Sequence, residues 1–183
     1  MIYPVTVFGD PVLRKLAEPI DSDFPNLKEF IQNMFETMYN SDGVGLAAPQ
    51  VGQAIRIFVI DSITEDEDAE PGIKRAFINP EILEKSGDEW VMNEGCLSLP
   101  EIREDVVRPE TVKIKYLDED FNEHIEVFNG FTSRVIQHEY DHLEGVMFVD
   151  YLNPLKKRIL KSKLTAISKG KVIPKYRIKV PGK

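Results

Sequence analysis

The sequence predicts an α+β fold: a largely antiparallel β-sheet packed around a central helix, with an N-terminal and a C-terminal helix flanking it. Three observations carry this. Apolar residues recur at helical spacing early in the chain. Alternating and continuous β-branched runs cluster in the middle. Two later segments carry helix start and stop residues. At 183 residues, 42% hydrophobic and 30% charged, the chain has the size and composition of a globular core and not of a disordered segment.

The first helix is predicted within residues 24–40, where Leu27, Phe30, Ile31, Met34, Phe35 and Met38 share one face. Pro25 suits its first turn, and Ser41-Asp42-Gly43 ends it. Residues 43–52 read as a tight helix-to-strand connection whose small residues let a neighbouring group come close; the ending of a phosphate loop is missing. Residues 56–61 form a strand. Val112, Ile114 and Tyr116 alternate with Lys113 and Lys115, giving one buried and one wet face. Residues 124–128 pair with them across Asp118-Glu119-Asp120, with His124 facing solvent and given no role. Gly130 precedes a second helix through about Leu143, the central one. Pro154 opens a third, which runs to about Lys169 before Gly170, with Leu160, Leu164 and Ile167 facing the body and Leu155 and Ile159 nearby. Residues 65–70 hold five acids and read as a solvated loop, since the spacing of a calcium loop is absent. No repeat or linker divides the chain, so we expect one domain over 1–170 and a basic tail over 171–183.

Charge is distributed unevenly. Residues 151–183 hold eleven of the 23 Lys and Arg and none of the 31 Asp and Glu. Such a tail reads either as a solvated helix complementing an acidic body or as a contact for a nucleic-acid-rich partner. No run approaches the roughly 20 apolar residues of a membrane span. The first residues lack signal-peptide character. One cysteine, Cys96, permits no internal disulfide and fits a reducing compartment. The expected location is the cytoplasm, without a membrane partner.

Residues 138–142 read His-Glu-Tyr-Asp-His. Two His four apart on a helix face one side and can reach a single cation. Glu139 is placed to reach a water at that cation. Metzincin-type proteases add a third His six residues on, but Phe148 stands there, and no acid follows Asp150 for a thermolysin-like ligand. Only Glu144 or Asp150 remains on that side, at poor spacing, so an upstream ligand is needed. Cys96, in Asn93-Glu94-Gly95-Cys96-Leu97-Ser98, is the candidate, with Gly95 allowing a sharp turn. A Cys-His-His set leaves a fourth position open, as catalytic sites do. Gln50 offers an amide N–H that can steady an oxyanion, although a plain tight turn is the simpler reading of its segment taken alone. A metallopeptidase and a metal-stabilised RNA-binding module both remain open on these residues alone.

Three segments together, Gly43-Val44-Gly45-Leu46-Ala47-Ala48-Pro49-Gln50, Glu94-Gly95-Cys96-Leu97-Ser98 and Gln137-His138-Glu139-Tyr140-Asp141-His142, resemble the peptide deformylase family. Phe8-Gly9-Asp10-Pro11 adds to the likeness, which covers about residues 4–160. The resemblance implies a metal-dependent hydrolase that removes the formyl group from N-terminal formyl-methionine of nascent peptides. It implies Cys96, His138 and His142 as ligands of a divalent metal, most commonly Fe2+, with Zn2+, Ni2+ or Co2+ able to replace it. It implies Glu139 as general base, with Gln50 and the Leu97 N–H on the oxyanion. Glu94 and Arg108 would form a supporting ion pair. The methionine pocket would involve Val44, Met92, Phe131, Arg134 and Val135, with the head of Arg134 at the mouth in water. Gly43 and Gly45 would leave backbone groups open to the substrate. Some family members dock on the ribosome through a C-terminal helix, which matches the basic tail.

Overall fold

The computed structural model describes residues 1–64 and 71–182. The expectation for residues 65–70 therefore lies outside the described residues. Ten elements follow in order: β1 (Val5–Thr6), α1 (Leu27–Asn40), β2 (Gly45–Ala47), β3 (Ile57–Asp61), β4 (Lys74–Gly95), β5 (Arg103–Leu117), β6 (Glu123–Phe128), α2 (Gly130–Leu143), α3 (Pro154–Ser168) and β7 (Ile178–Lys179). Strands β2-β3-β4-β5-β6 form one antiparallel sheet, and β1 pairs with β7 in parallel.

The two faces of β3 explain its unbroken apolar run. Ile57 and Val59 pack towards Ile31, Met34 and Met38 of α1, while Phe58 and Ile60 pack towards Val135, Ile136 and Leu143 of α2. All four strand residues are fully buried. Phe77 stacks on Phe58 at 4.7 Å and contacts Tyr116 at 4.3 Å, and such ring pairs add roughly 1 kcal/mol each beyond area burial. Ile114 and Tyr116 face the α2 side, as the alternation in β5 requires.

Helix α1 lies within the expected residues 24–40 but starts after Pro25. Asn26 takes a left-handed conformation (φ 55°) as N-cap, so Pro25 precedes the helix instead of opening it. Helix α3 follows the expected signals: Asn153 accepts from the Lys156 N–H at 2.9 Å, Pro154 is the first residue, and Gly170 (φ +66°) lies just beyond the end. Leu160 and Ile167 are buried, but Leu155 and Ile159, expected near the body, are each 67% exposed. Strand β4 is the largest element that sequence patterning did not reveal. Pro80, Gly87 (φ +79°) and three register shifts break its alternation. His124 closes the β5–β6 turn, bonding Asp118 at 2.8 Å and stacking on Tyr116.

Candidate metal centre

Helix α2 crosses the sheet and presents His138 and His142 on successive turns to the end of β4. There Cys96 leads a turn closed by the Leu99 N–H on the Cys96 carbonyl at 2.9 Å. The ligand atoms of Cys96, His138 and His142 all lie within 4.8 Å of one another, and Cys96 Sγ is 3.2 Å from His142 Nε2. His138 Nδ1 meets Glu94 Oε2 at 2.9 Å, leaving Nε2 as the ring's free ligand atom. One soft sulfur and two imidazole nitrogens so arranged fit a single divalent cation with one position open. Among the described residues this is the only such cluster.

Glu94 is held from three sides. Arg108 grips it with Nε at 2.7 Å and Nη2 at 3.1 Å, and Arg134 Nη1 donates at 3.0 Å. Arg108 Nη1 also donates to Asp141 at 2.7 Å. Burial works against the charge of Glu94, but hydrogen bonds from His138 and Arg108 outweigh it and hold the carboxyl well below the usual range. This chain of charges fixes the orientation of His138.

Arg134 departs from expectation. Its side chain is 2% exposed and its head does not reach water. Besides Glu94 it donates to the carbonyls of Val106 (3.1 Å) and Trp90 (2.7 Å), with its guanidinium 4.4 Å over the Trp90 ring. A buried carboxylate and two carbonyls neutralise and fix the cation, so it serves as wall and brace and not as a charged rim.

Glu139, on the same turn as His138, is 4% exposed, and its Oε2 has no partner among the described residues. Burial pushes its carboxyl up to about 7. Strand β2 comes down onto it: a Cβ built on Gly45 would lie 2.5 Å from Glu139 Oε1. On the next turn, Gln50 Oε1 accepts from the Ala47 N–H at 2.8 Å, which aims Nε2 at Ser98 Oγ (3.2 Å) and Cys96 Sγ (3.5 Å). Gly95 has no positive φ. What its missing side chain admits is the Arg103 guanidinium, 2.7 Å from an added Cβ.

These groups surround a cavity of about 520 Å3. Every site residue expected from the sequence lines it except Arg108 and His142, which are buried behind. Val44 and Phe131 are partly exposed at its edge, and Val135 is buried. Three contributors were not foreseen: Ser98, which receives the Gln50 amide; Asp141, which anchors Arg108; and Tyr176, which lines the cavity from the far end of the chain. Asp141 and Ser98 carried a sequence signal, their places inside the His-Glu-Tyr-Asp-His pattern and the Glu94–Ser98 segment, whereas Tyr176 carried none.

The sequence model of the Polypeptide deformylase family matches residues 2–158. A peptide deformylase of Flavobacterium johnsoniae is 55% identical over 98% of this chain and 96% of its own. Among solved structures, peptide deformylase from Thermotoga maritima is 45% identical, with a TM-score of 0.75 over 84% of this chain and 99% of that one. A mutant of peptide deformylase 1B from Arabidopsis thaliana gives 0.82 at 36% identity over 91% of each. By sequence and by fold, the chain belongs to the polypeptide deformylase family, enzymes that remove N-formyl groups.

Proposed function

We propose that this site deformylates N-terminal formyl-methionine of nascent peptides with Cys96, His138 and His142 as metal ligands and Glu139 as the proton-transfer group. The observation that carries the reading is the buried Glu139 carboxylate, whose Oε2 has no partner among the described residues, beside a Cys-His-His cluster that would leave a bound metal one position open. The cluster would hold Fe2+, or Zn2+, Ni2+ or Co2+ in its place; a thiolate with two imidazoles suits all of them. A bound metal supplies Lewis acidity that makes hydroxide available near neutral pH. Glu139 takes the proton of the attacking water and delivers it to the departing amine. Gln50 Nε2 and the Leu97 N–H hold the oxyanion. Val44, Met92, Phe131 and Val135 receive the methionine side chain against the Arg134 wall. Gly43 and Gly45 leave the β2 edge open to the peptide backbone.

The peptidase alternative lacks its downstream ligand. Glu144 pairs with Arg56 at 2.6 Å and Asp150 with Arg14 at 2.5 Å. The exposed cations of α3 and residues 171–179 support ribosome docking, and the lone cysteine supports a cytoplasmic setting. No helix among the described residues is long and apolar enough to cross a membrane. Anaerobic metal analysis paired with formate release from a formyl-Met peptide tests the reading. One metal per chain and stoichiometric formate are expected; cleavage of internal peptide bonds without formate would overturn it.

A further inference from the structure

The family match ends at residue 158, yet the chain after α3 returns to the active site. Residues 171–180 alternate strictly between exposed and partly buried positions. Val172, Ile178 and Val180 pack on the core, while Lys175, Arg177 and Lys179 face outward. The segment is pinned to β1 by Val5 N–H on the Arg177 carbonyl (2.9 Å) and Val7 N–H on the Lys179 carbonyl (3.1 Å). Two glycines make room for it. A Cβ on Gly170 would lie 3.0 Å from Val180, and one on Gly9 3.3 Å from Pro181.

Between the pinned strand and α3, Tyr176 turns inward. Its hydroxyl donates to the Leu97 carbonyl at 2.8 Å, and the residue lines the catalytic cavity together with Cys96, Gln50 and Glu139. Leu97 follows the ligand Cys96, and its own N–H is the backbone donor proposed for the oxyanion. A carbonyl fixed on one side of Leu97 restricts rotation of the peptide unit on the other. The Leu99 N–H on the Cys96 carbonyl holds the peptide unit that carries the Leu97 N–H, and the Phe8 N–H holds the Ser98 carbonyl; the Leu97 carbonyl between them is held by Tyr176, which completes the clamp on the turn.

We infer that Tyr176 is a positioning residue of the active site: its hydroxyl clamps the Leu97 carbonyl so that the Leu97 N–H is presented to the substrate, and its ring walls the peptide groove. The inference rests on the deformylase reading above. It assigns residues 171–182 a part in catalysis, whatever they do at their outer face.

The test compares wild type, Tyr176→Phe and Tyr176→Ala in metal-loaded full-length protein. Formyl-Met peptide kinetics are read beside hydrogen exchange at the Leu97 amide and thermal melting. Tyr176→Phe keeps the ring, so kcat should fall about tenfold while KM stays within about twofold. Its Leu97 amide should exchange faster at an unchanged melting temperature. Tyr176→Ala should add a severalfold rise in KM. Wild-type kcat and wild-type Leu97 exchange in Tyr176→Phe would overturn the clamp. So would a lowered melting temperature with unchanged Leu97 exchange, which describes a purely structural contact. An inactive wild type on formyl-Met peptide would instead overturn the deformylase reading itself.

Discussion

Gly45 and Glu139 are in contact through an absent side chain: a Cβ on Gly45 would stand 2.5 Å from Oε1 and 2.8 Å from the carboxyl carbon. The obstructed atoms are the end of a movable side chain. A methyl group there therefore displaces the carboxylate and leaves the fold largely intact. Gly45→Ala should cut kcat at least about a hundredfold, consistent with misplacing a proton-transfer group. Melting temperature should fall by no more than a few degrees. Near wild-type turnover would show that Glu139 has room to move without consequence.

Glu139→Ala removes the carboxylate but none of the three ligand atoms. We expect turnover to drop by about 10²–10⁴ with metal content unchanged. Metal analysis alongside formate release checks both halves. Loss of metal with loss of rate would mean that Glu139 holds the cation.

Cys96→Ser exchanges a soft thiolate for a harder, weaker ligand. Metal retention through dialysis and turnover should fall together. A protein with full metal and full rate would return Cys96 to the role of a small packing residue. With iron bound, wild type should lose activity in air faster than under nitrogen, because a thiolate beside iron(II) is open to oxidation.

The site was more legible in the sequence than the sheet around it, for a physical reason. His138 and His142 are fixed relative to each other by helix geometry alone, and Cys96 followed from the lack of a third ligand elsewhere. Arg134 was misplaced because its partners, Glu94 and the carbonyls of Trp90 and Val106, lie on other strands, and residue type reveals no such pairing. Tyr176 was invisible for the same reason: its partner is a backbone carbonyl 79 positions away. Strand β4 was missed because bulges around Pro80 and Gly87 reset its alternation, whereas β5 stays regular over Val112–Tyr116 and was read correctly. Leu155 and Ile159 show the converse error, an apolar pair on α3 that stays largely exposed.

Asp150 links acid stability to the end of α2. Burial alone would raise its carboxyl, but Arg14 and the Met147 N–H hold it below its ordinary value. A depressed folded-state pKa means stabilisation that is present above the unfolded value near 4 and lost as pH falls through the folded one. Asp150→Asn should lower the melting temperature by up to about 3 °C at pH 7, since the pair is partly exposed. Once the pH has fallen below the folded value, the two proteins should converge. A gap that persists in acid would assign the effect to lost packing.

Lys157, Lys161 and Lys163 are exposed on α3, whereas Lys156 is tied to Glu104 at 2.7 Å. Replacing the first three by Ala should weaken ribosome cosedimentation, most visibly at low salt, and leave turnover of a short formyl peptide unchanged. Equal cosedimentation of wild type and variant would leave α3 as a solvated helix.

The parallel pairing of β1 with β7 also carries a cost in chain entropy. Among the described residues, the first strand finds its strand partner only at the opposite end of the chain, so this contact has the longest loop to close and the highest entropic cost.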